Sequence, residues 1–365
     1  DLLQTSQHPV LSDGAMGTLL NQRGVSFERC FDELNLTDPA LVASIHREYI
    51  DAGSQIIQTN TFGANRYKLA HHGLEDQVAE INAAAVELAR RVVMASFKDV
   101  LIAGDVGPLG VRLAPFGRVQ PEQARHVFTE QIAALVEAGV DLIIIETMTD
   151  LYEVREAIAA ARQIDPHLPV VASMTFTRDD RTLLGDDPVK VARGIQEAGA
   201  DVIGINCSGG PNQILRILKQ MHLALPEARF SVMPNAGWPE QVGGRIMYPA
   251  SPEYFGEYAL AFWQAGASLI GGCCGTTPGH ISVMRQAIET RPLEKFSNGF
   301  ALAVVEREEA SQERQAPTQM AQKLMDGRFL VAVEMDPPRG LTTQKLLAGS
   351  SLLAEAGADV INVAD

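Results

Sequence analysis

The chain has 365 residues, 46% of them hydrophobic, which is enough to bury a full core and more than a single core usually holds. A formal charge of −15 and the lack of any Lys/Arg-rich run argue against a nucleic-acid or anionic-membrane partner, since both are bound through basic surfaces. No apolar run reaches the roughly 20 residues that span a bilayer, and no signal peptide opens the chain, so we expect a cytoplasmic protein that acts on small molecules.

A short pattern recurs along the chain. It consists of the end of an amphipathic helix, a glycine suited to the left-handed C-cap position, and a β-branched apolar run. Its copies begin at Asp51, Glu137, Glu197, Gln264 and Glu355. Such recurrence is typical of repeated βα units around a buried parallel sheet.

Apolar segments separated by helical patterns predict eight strands before residue 290. They cover residues 9–13, 54–60, 100–106, 140–147, 169–176, 201–207, 229–235 and 268–273. Eight such units suit an α/β fold of the (β/α)8 TIM barrel type, whose usual size is about 250 residues. A doubly wound open sheet is the alternative. We assign residues 1–289 to the barrel.

The pattern changes after the eighth unit. Residues 290–326 carry mixed charge and one helical pattern, and they are predicted to form a linker and a leading helix. Residues 327–365 contain a strand, a helix and the last copy of the repeat, which indicates the first βαβ units of a second, incomplete barrel. The missing initiator Met and the abrupt end at Asp365 suggest an excerpt of a longer polypeptide.

Functional residues of such barrels lie at the carboxyl ends of the strands, where the βα loops gather. Because the strands are parallel, these ends share one rim. The polar and sulfur-bearing residues that end the predicted strands are Asp13, Asn60, Thr61, Asp105, Glu146, Cys207, Asn235, Cys273 and Cys274.

Three of the four cysteines fall on this rim. The adjacent Cys273 and Cys274 can face one ion only if the strand has already broken into a loop, which the neighbouring glycines permit. With Cys207 they form a three-thiolate set with room for a fourth ligand, which is typical of catalytic zinc and would suit a substrate thiol. A vicinal disulfide and inert core cysteines are the alternatives. Cys30 is predicted to be structural.

Two strand ends also carry promising carboxylates. Asp13 precedes Gly14 in a loop whose amides could approach a small carboxylate while Asp13 faces an amine. Glu146 ends a fully apolar strand, and we expect it to contact a ligand because unpaired burial is costly. Asp105 could equally just terminate its strand, so its role stays open.

Several short segments together resemble the zinc-dependent homocysteine S-methyltransferase family. They are DGAMGT at 13–18, TNTF at 59–62, GINC at 204–207, PNAG at 234–237 and GGCCGT at 271–276. This family includes the homocysteine domain of cobalamin-dependent methionine synthase and betaine–homocysteine methyltransferase. The resemblance covers residues 8–290 and implies SN2 attack of a zinc thiolate on an activated methyl group, which gives methionine.

The resemblance also implies roles for individual residues. Zinc would be bound by Cys207, Cys273 and Cys274, with the homocysteine sulfur at the fourth site and Asn235 there when substrate is absent. The residues implied to surround homocysteine are Asp13 and Glu146 at its ammonium, Gly14, Ala15 and Met16 at its carboxylate, and Asn60 and Thr61 along the pocket.

A second resemblance concerns VAVEMDPPRG at 331–340, which is similar to the first strand of methylenetetrahydrofolate reductase, a flavin-dependent barrel. It implies that Glu334 is the catalytic acid that assists opening of the folate ring and that FAD binds once the reductase domain is complete. The two resemblances together predict a bifunctional homocysteine methyltransferase and methylenetetrahydrofolate reductase.

The methyl donor stays open. Methylcobalamin, a methyltetrahydrofolate-derived donor, betaine and sulfonium compounds such as S-methylmethionine or S-adenosylmethionine all serve relatives. Two other functions are alternatives. One is a TIM-barrel lyase or aldolase that uses Glu146 and Asp13 for proton transfer without zinc, and the other is a noncatalytic metal- or thiol-binding module.

Overall fold

The computed structural model describes residues 8–242, 245–290, 319–335 and 344–363. Two compact units make up the chain, Asp1–Pro292 and Leu293–Asp365. Residues 291–318, which form most of the predicted linker, lie outside the described residues.

The first unit is built on a ring of eight parallel strands. Neighbouring strands follow the order β1-β10-β7-β6-β5-β4-β3-β2. The amide of Gln55 donates to the carbonyl oxygen of Leu11 at 2.7 Å and joins the two ends of this order. The (β/α)8 barrel is therefore confirmed, and the open sheet is rejected. The strands are β1 Val10–Leu11, β2 Ile56–Gln58, β3 Leu101–Val106, β4 Leu142–Met148, β5 Val170–Met174, β6 Val202–Cys207, β7 Phe230–Pro234, the separate antiparallel hairpin β8 Glu240–Val242 and β9 Arg245–Met247, and β10 Ala267–Ile270.

Helices form the outer layer, and successive helices pack side by side around the ring. They are α1 Gly17–Gln22, α2 Leu34–Thr37, α3 Pro39–Ala52, α4 Arg66–Ala70, α5 Val78–Ser96, α6 Pro121–Ala138, α7 Leu151–Ile164, α8 Pro188–Ala198, α9 Pro211–Ala224, α10 Pro252–Gln264 and α11 Pro278–Thr290.

The recurring glycines end helices in the way the repeat predicts. Gly53, Gly139, Gly199, Gly266 and Gly357 have φ values of 109°, 94°, 94°, 97° and 97°, in the left-handed region that glycine enters without a steric penalty. Each therefore turns the chain from an outer helix into the next strand.

Apolar side chains from every strand of the ring fill the barrel interior. None of them is more than 5% exposed, so the barrel is a packed core rather than a pore. The members of this core are Val10, Ile56, Ala103, Leu142, Ile144, Val171, Val202, Met233 and Leu269.

The second unit contains a parallel βαβ arrangement. Its elements are helix α12 Gln319–Met325, strand β11 Ala332–Met335, helix α13 Gln344–Glu355 and strand β12 Val360–Val363. β11 and β12 pair in parallel, and Glu334 lies exposed on β11. Residues 336–340 of the reductase-like segment lie outside the described residues. Within the described ranges, no helix is long and apolar enough to cross a membrane.

Gly204 on β6 allows close approach of the neighbouring strand. A Cβ atom at this position would lie 1.9 Å from Oγ of the buried Ser173. We expect Gly204→Ala to lower the free energy of unfolding by about 1–3 kcal/mol through overpacking. Gly279→Ala is the matched control, because its Cβ would meet only ordinary contacts at 3.5 Å or more. Urea unfolding measures both variants, and equal destabilisation would contradict the prediction.

Candidate active site and metal centre

A cavity of about 810 Å³ opens at the carboxyl ends of the barrel strands. This size suits a small-molecule site. Most of the strand-end residues predicted for the site line this cavity. Asp105, whose role the sequence left open, also lines it. The predicted residues in its wall are Asp13, Gly14, Ala15, Met16, Asn60, Glu146, Cys207, Cys273 and Cys274.

Three sulfur atoms meet on one side of this cavity. The Sγ atoms of Cys207, Cys273 and Cys274 all lie within 4.8 Å of one another. Sulfur ligands of a tetrahedral zinc ion are about 3.8 Å apart when each Zn–S distance is about 2.3 Å. The three sulfurs are thus close enough to share one ion. The vicinal disulfide does not form, since Cys273 Sγ and Cys274 Sγ are 4.0 Å apart and all four cysteines are free.

The chain brings these sulfurs together through its strand ends. Cys207 is the last residue of β6, and its φ of 56° turns the backbone out of the strand. β10 ends at Ile270, so Cys273 and Cys274 already lie in a loop and are free of strand alternation. The Cys273 amide donates to the carbonyl oxygen of Pro234 at 2.8 Å, which ties this loop to the end of β7.

The cysteine cluster favours one thiolate before any metal binds. Hydrogen bonds from the thiols of Cys207 and Cys273 lower the pKa of Cys274 to about 3. The same contacts raise the pKa of Cys273, because they favour its protonated form. Metal binding to all three sulfurs must therefore release protons, which makes the metal affinity of such a site depend on pH.

Asp13 is held in a fixed orientation just after β1. Its Oδ2 accepts the amide of Gln58 at 2.9 Å, and its Oδ1 accepts Nε2 of Gln58 at 3.0 Å. Burial raises the pKa of Asp13 to about 7, although these hydrogen bonds act to lower it. No cation of the described residues lowers this pKa, so a bound cationic group would favour the ionised form of Asp13.

Two further acids lie in the same cavity. Burial raises the pKa of Glu146 to about 8, and the negative charge of Cys274 adds to this effect. The pKa of Asp105 is raised well above its usual value, mainly by burial and next by the charge of Glu146. Oδ1 of Asp105 has no hydrogen-bond partner among the described residues. Such a group of buried acids favours an ammonium ligand, which would stabilise their ionised forms.

The loop after β1 offers backbone donors beside Asp13. The Ala15 amide is already bound to Oγ1 of Thr276 at 3.1 Å. Within the described part of the chain, the Gly14 and Met16 amides make no hydrogen bond that would occupy them. These two amides, rather than that of Ala15, are therefore the available donors for a carboxylate.

Two predicted residues lie next to the cavity rather than on its surface. Thr61 is fully buried, and its hydroxyl donates to the carbonyl oxygen of Asp105 at 2.7 Å, so it supports the wall from behind. Asn235 donates to the carbonyl oxygen of Ser208 at 3.1 Å and hydrogen-bonds the sulfur of Cys207, while its buried Oδ1 has no partner. Asn235 is therefore adjacent to the sulfurs, as its strand position predicts.

Several residues that contact the predicted site residues do not themselves end a predicted strand. Asn206 contacts Glu146 and Cys273, and Tyr248 hydrogen-bonds the sulfur of Cys274. Asn206 is adjacent to Cys207 in the GINC segment, which was the available signal. Tyr248 follows the β8–β9 hairpin and ends no strand of the barrel, so strand-end reasoning could not find it. Cys30, predicted to be structural, is buried with its Sγ 3.8 Å from Oδ2 of Asp32.

The exposed residues of the lining mark the mouth of the cavity. Phe27 is 63% exposed and Phe62 37% exposed, and His71 lies exposed beside them. Lys68 extends over the ring of Phe62, with Nζ 4.0 Å from its centroid. Burial lowers the pKa of Lys68, and no carboxylate oxygen of the described residues lies within 4.0 Å of its Nζ. The mouth therefore contains a cation without an ion-pair partner.

The buried acids should make the protein less stable as the pH rises. The pKa of Asp105 is raised above its usual 3.8, so the folded state holds this proton more tightly than the unfolded state does. We expect Asp105→Asn to raise the free energy of unfolding by about 1–3 kcal/mol at pH 8, because the cost of ionising a carboxyl group that is buried beside Glu146 is removed. The gain should shrink towards pH 4, where the unfolded side chain is also protonated.

Urea unfolding from pH 5 to pH 8 measures this effect. Asp99→Asn, at an exposed position, is the control and should change little. A stabilisation by Asp105→Asn that does not depend on pH would contradict the titration argument.

The comparisons with known proteins agree with this geometry. The profile of the homocysteine S-methyltransferase family matches residues 10–288. The methionine synthases of Mycobacterium leprae and Mycobacterium tuberculosis are 32% and 33% identical to the chain over 305 residues, which is 79% of this chain and 25% of each relative. The chain thus spans about a quarter of the length of the curated relatives it matches.

Solved structures show the same fold. The homocysteine methyltransferase MmuM from Escherichia coli, in its metallated form, superposes with a TM-score of 0.65 at 27% identity, covering 78% of this chain and 98% of that one. Its oxidized form gives a TM-score of 0.66 at 26% identity, with 78% and 97% covered. Since the family profile extends over the whole barrel from residue 10 to residue 288, the chain belongs to the homocysteine S-methyltransferase family.

Proposed function

We propose that the barrel transfers a methyl group to the thiol of homocysteine, giving methionine, at a zinc ion held by Cys207, Cys273 and Cys274. The observation that carries this proposal is the convergence of three free sulfurs within 4.8 Å of one another in the wall of a cavity. Family membership favours methyl transfer over the lyase and the noncatalytic module that the sequence left open.

The donor set fits zinc. Three soft sulfur ligands on an open cavity are the pattern of a catalytic site with one free position, since structural zinc sites are usually closed by four protein ligands. When bound, zinc would supply the Lewis acidity that keeps the homocysteine sulfur deprotonated and nucleophilic near neutral pH. Asn235, with its unpartnered Oδ1 beside Cys207, could fill the open position in the absence of substrate.

The remaining groups of homocysteine have complementary partners in the same cavity. Its ammonium would lie between Asp13 and Glu146, whose pKa values burial raises and which a bound cation would stabilise in their ionised forms. The amides of Gly14 and Met16 would bind its carboxylate. Asn60 would border the substrate, with its Nδ2 bound to the carbonyl oxygen of Phe31 at 2.7 Å.

Binding at these points would aim the sulfur at the donor. The methyl carbon then forms a bond to the homocysteine sulfur while its bond to the donor atom breaks, and the donor leaves with that electron pair. Cys207, Cys273 and Cys274 would hold the zinc and keep it electron-rich, and the contacts of Asp13 and Glu146 with the ammonium would prevent the substrate from rotating away. Much of the rate gain would come from this positioning.

The donor would approach through the mouth of the cavity. The mouth is lined by Phe27, Phe62 and Lys68, whose Nζ lacks an ion-pair partner among the described residues. We propose that Lys68 binds an anionic group of the donor, such as a carboxylate. Methylcobalamin, a methyltetrahydrofolate-derived donor and a sulfonium compound all stay candidates.

For the longer protein, we propose a methylenetetrahydrofolate reductase activity with FAD and with Glu334 as the acid that assists opening of the folate ring. The support is the sequence resemblance and the parallel β11–α13–β12 unit, in which Glu334 lies on β11.

Zinc content tests the main proposal. We expect about one zinc per chain in the wild type and methionine formation that stops after chelation and returns with zinc. Cys273→Ser should lower activity more than about 100-fold, since even residues that only support a ligand cost 10- to 100-fold. Cys30→Ser, which leaves the three-sulfur cluster intact, is the matched control and should keep both zinc and activity. Full activity of the metal-free protein would refute the proposal.

Lys68→Gln tests the donor side. We expect this change to raise the KM of the donor roughly 10- to 100-fold, as the loss of a hydrogen bond to a charged group does, while the affinity for homocysteine stays the same. Steady-state kinetics with whichever candidate donor supports methionine formation gives both values. Lys219→Gln, at an exposed position on α9, is the control. A change in homocysteine affinity alone would mean that Lys68 serves the amino-acid substrate instead.

A further inference from the structure

Asn206 connects two parts of the site that lie on different strands. It is fully buried on β6, directly before Cys207. Its Nδ2 donates to Oε2 of Glu146 at 2.6 Å and to Oγ1 of Thr147 at 2.8 Å, and it lies 3.8 Å from Sγ of Cys273. One amide therefore contacts both an acid of the cavity and a sulfur of the cluster.

The other end of the same amide fixes its orientation. Oδ1 of Asn206 accepts the backbone amide of Thr147 at 2.8 Å. Since only the oxygen can accept this hydrogen, the nitrogen must face Glu146 and Cys273. Thr147 has a φ of 56°, a left-handed conformation that costs a residue with a Cβ atom about 1–2 kcal/mol. The hydrogen bond to Asn206 helps to hold Thr147, which directly follows Glu146 and lies at the irregularity of β4 between Ile145 and Met148.

Asn206 differs in its hydrogen-bond partners from Asn82, another buried asparagine of the barrel. Asn82 is also fully buried, and its Nδ2 donates to the carbonyl oxygens of Ala64 and Val78. Those backbone acceptors belong to the scaffold. The Nδ2 of Asn206 instead contacts side chains of the proposed substrate and metal sites.

We propose that Asn206 is a positioning residue that fixes the Glu146 carboxylate relative to the sulfur of Cys273. This inference rests on the proposed function, in which Glu146 binds the ammonium of homocysteine and Cys273 holds the metal. The distance between those two partners sets where the substrate sulfur lies when its ammonium is bound. Asn206 thereby determines whether one molecule of homocysteine can satisfy both at once.

The test is a double-mutant cycle on homocysteine binding to the zinc-loaded protein, measured by titration calorimetry without any methyl donor. Asn206→Ala should weaken binding roughly 10- to 100-fold, as the loss of residues that orient ligands does. Asn206→Ala combined with Glu146→Gln should bind no more weakly than Glu146→Gln alone, because Asn206 acts through that carboxylate. Asn206→Ser keeps one donor and should give an intermediate affinity.

The control is Asn82→Ala, which should lower thermal stability and leave homocysteine affinity unchanged in the folded protein. Additive losses in the double mutant, or wild-type affinity in Asn206→Ala and Asn206→Ser, would overturn the inference while leaving the proposed function intact. Absence of homocysteine binding by the zinc-loaded wild type would instead refute the proposed function itself.

Discussion

The candidate site depends on one constraint: parallel pairing of β6 with β7 and of β7 with β10 places the ends of these three strands side by side. Pro234 at the end of β7 lies at the centre of this arrangement. Cys207 pairs with Pro234 in the register of β6 and β7, and the amide of Cys273 donates to the carbonyl oxygen of Pro234 at 2.8 Å. Cys207 and the loop that carries Cys273 are thus fixed to the same residue of β7 by backbone pairing, although they are far apart in sequence. A site held in this way loses little conformational entropy on binding.

Closure of the ring between β1 and β2 explains why the cavity contains acids in energetically unfavourable positions. Asp13, Asp105 and Glu146 end strands that are buried on both faces, so their carboxyl groups enter a space with little water. Burial is the largest cause of the raised pKa of each one. The packed interior of the barrel must offset this cost, and an ammonium ligand would remove much of it. Under the proposed function, part of the stability that the core supplies would be given up in favour of affinity for homocysteine.

Much of the barrel and part of the site could be predicted from the sequence. Strands that are buried on both faces are continuous apolar runs, and a glycine C-cap such as Gly139 or Gly199 precedes such a run. The eight strands could therefore be predicted from the sequence. The strand-end rule then identified Cys207 and Glu146 because their chemistry contrasts with the apolar run before them. Asn206 lacks such contrast. Its importance comes from contacts with Glu146 and Cys273 on other strands, and a single sequence does not encode which side chains meet across a barrel.

Two residues near the rim of the barrel have strained backbone conformations. Thr147 and Cys207 both have a φ of 56°. Cys207 is the last residue of β6, and Thr147 lies at the irregularity of β4 between Ile145 and Met148. The left-handed turn at Cys207 directs its sulfur towards Cys273 and Cys274, and the turn at Thr147 follows the carboxylate that would bind the ammonium. Asn206 is hydrogen-bonded to Thr147 and adjacent to Cys207, so it lies between the two strained residues. Strain of this kind persists only where the surrounding structure over-determines it. In this barrel, paired strands behind the rim and one buried amide within it provide that support, and the same amide contacts both Cys273 of the sulfur cluster and the carboxylate of Glu146.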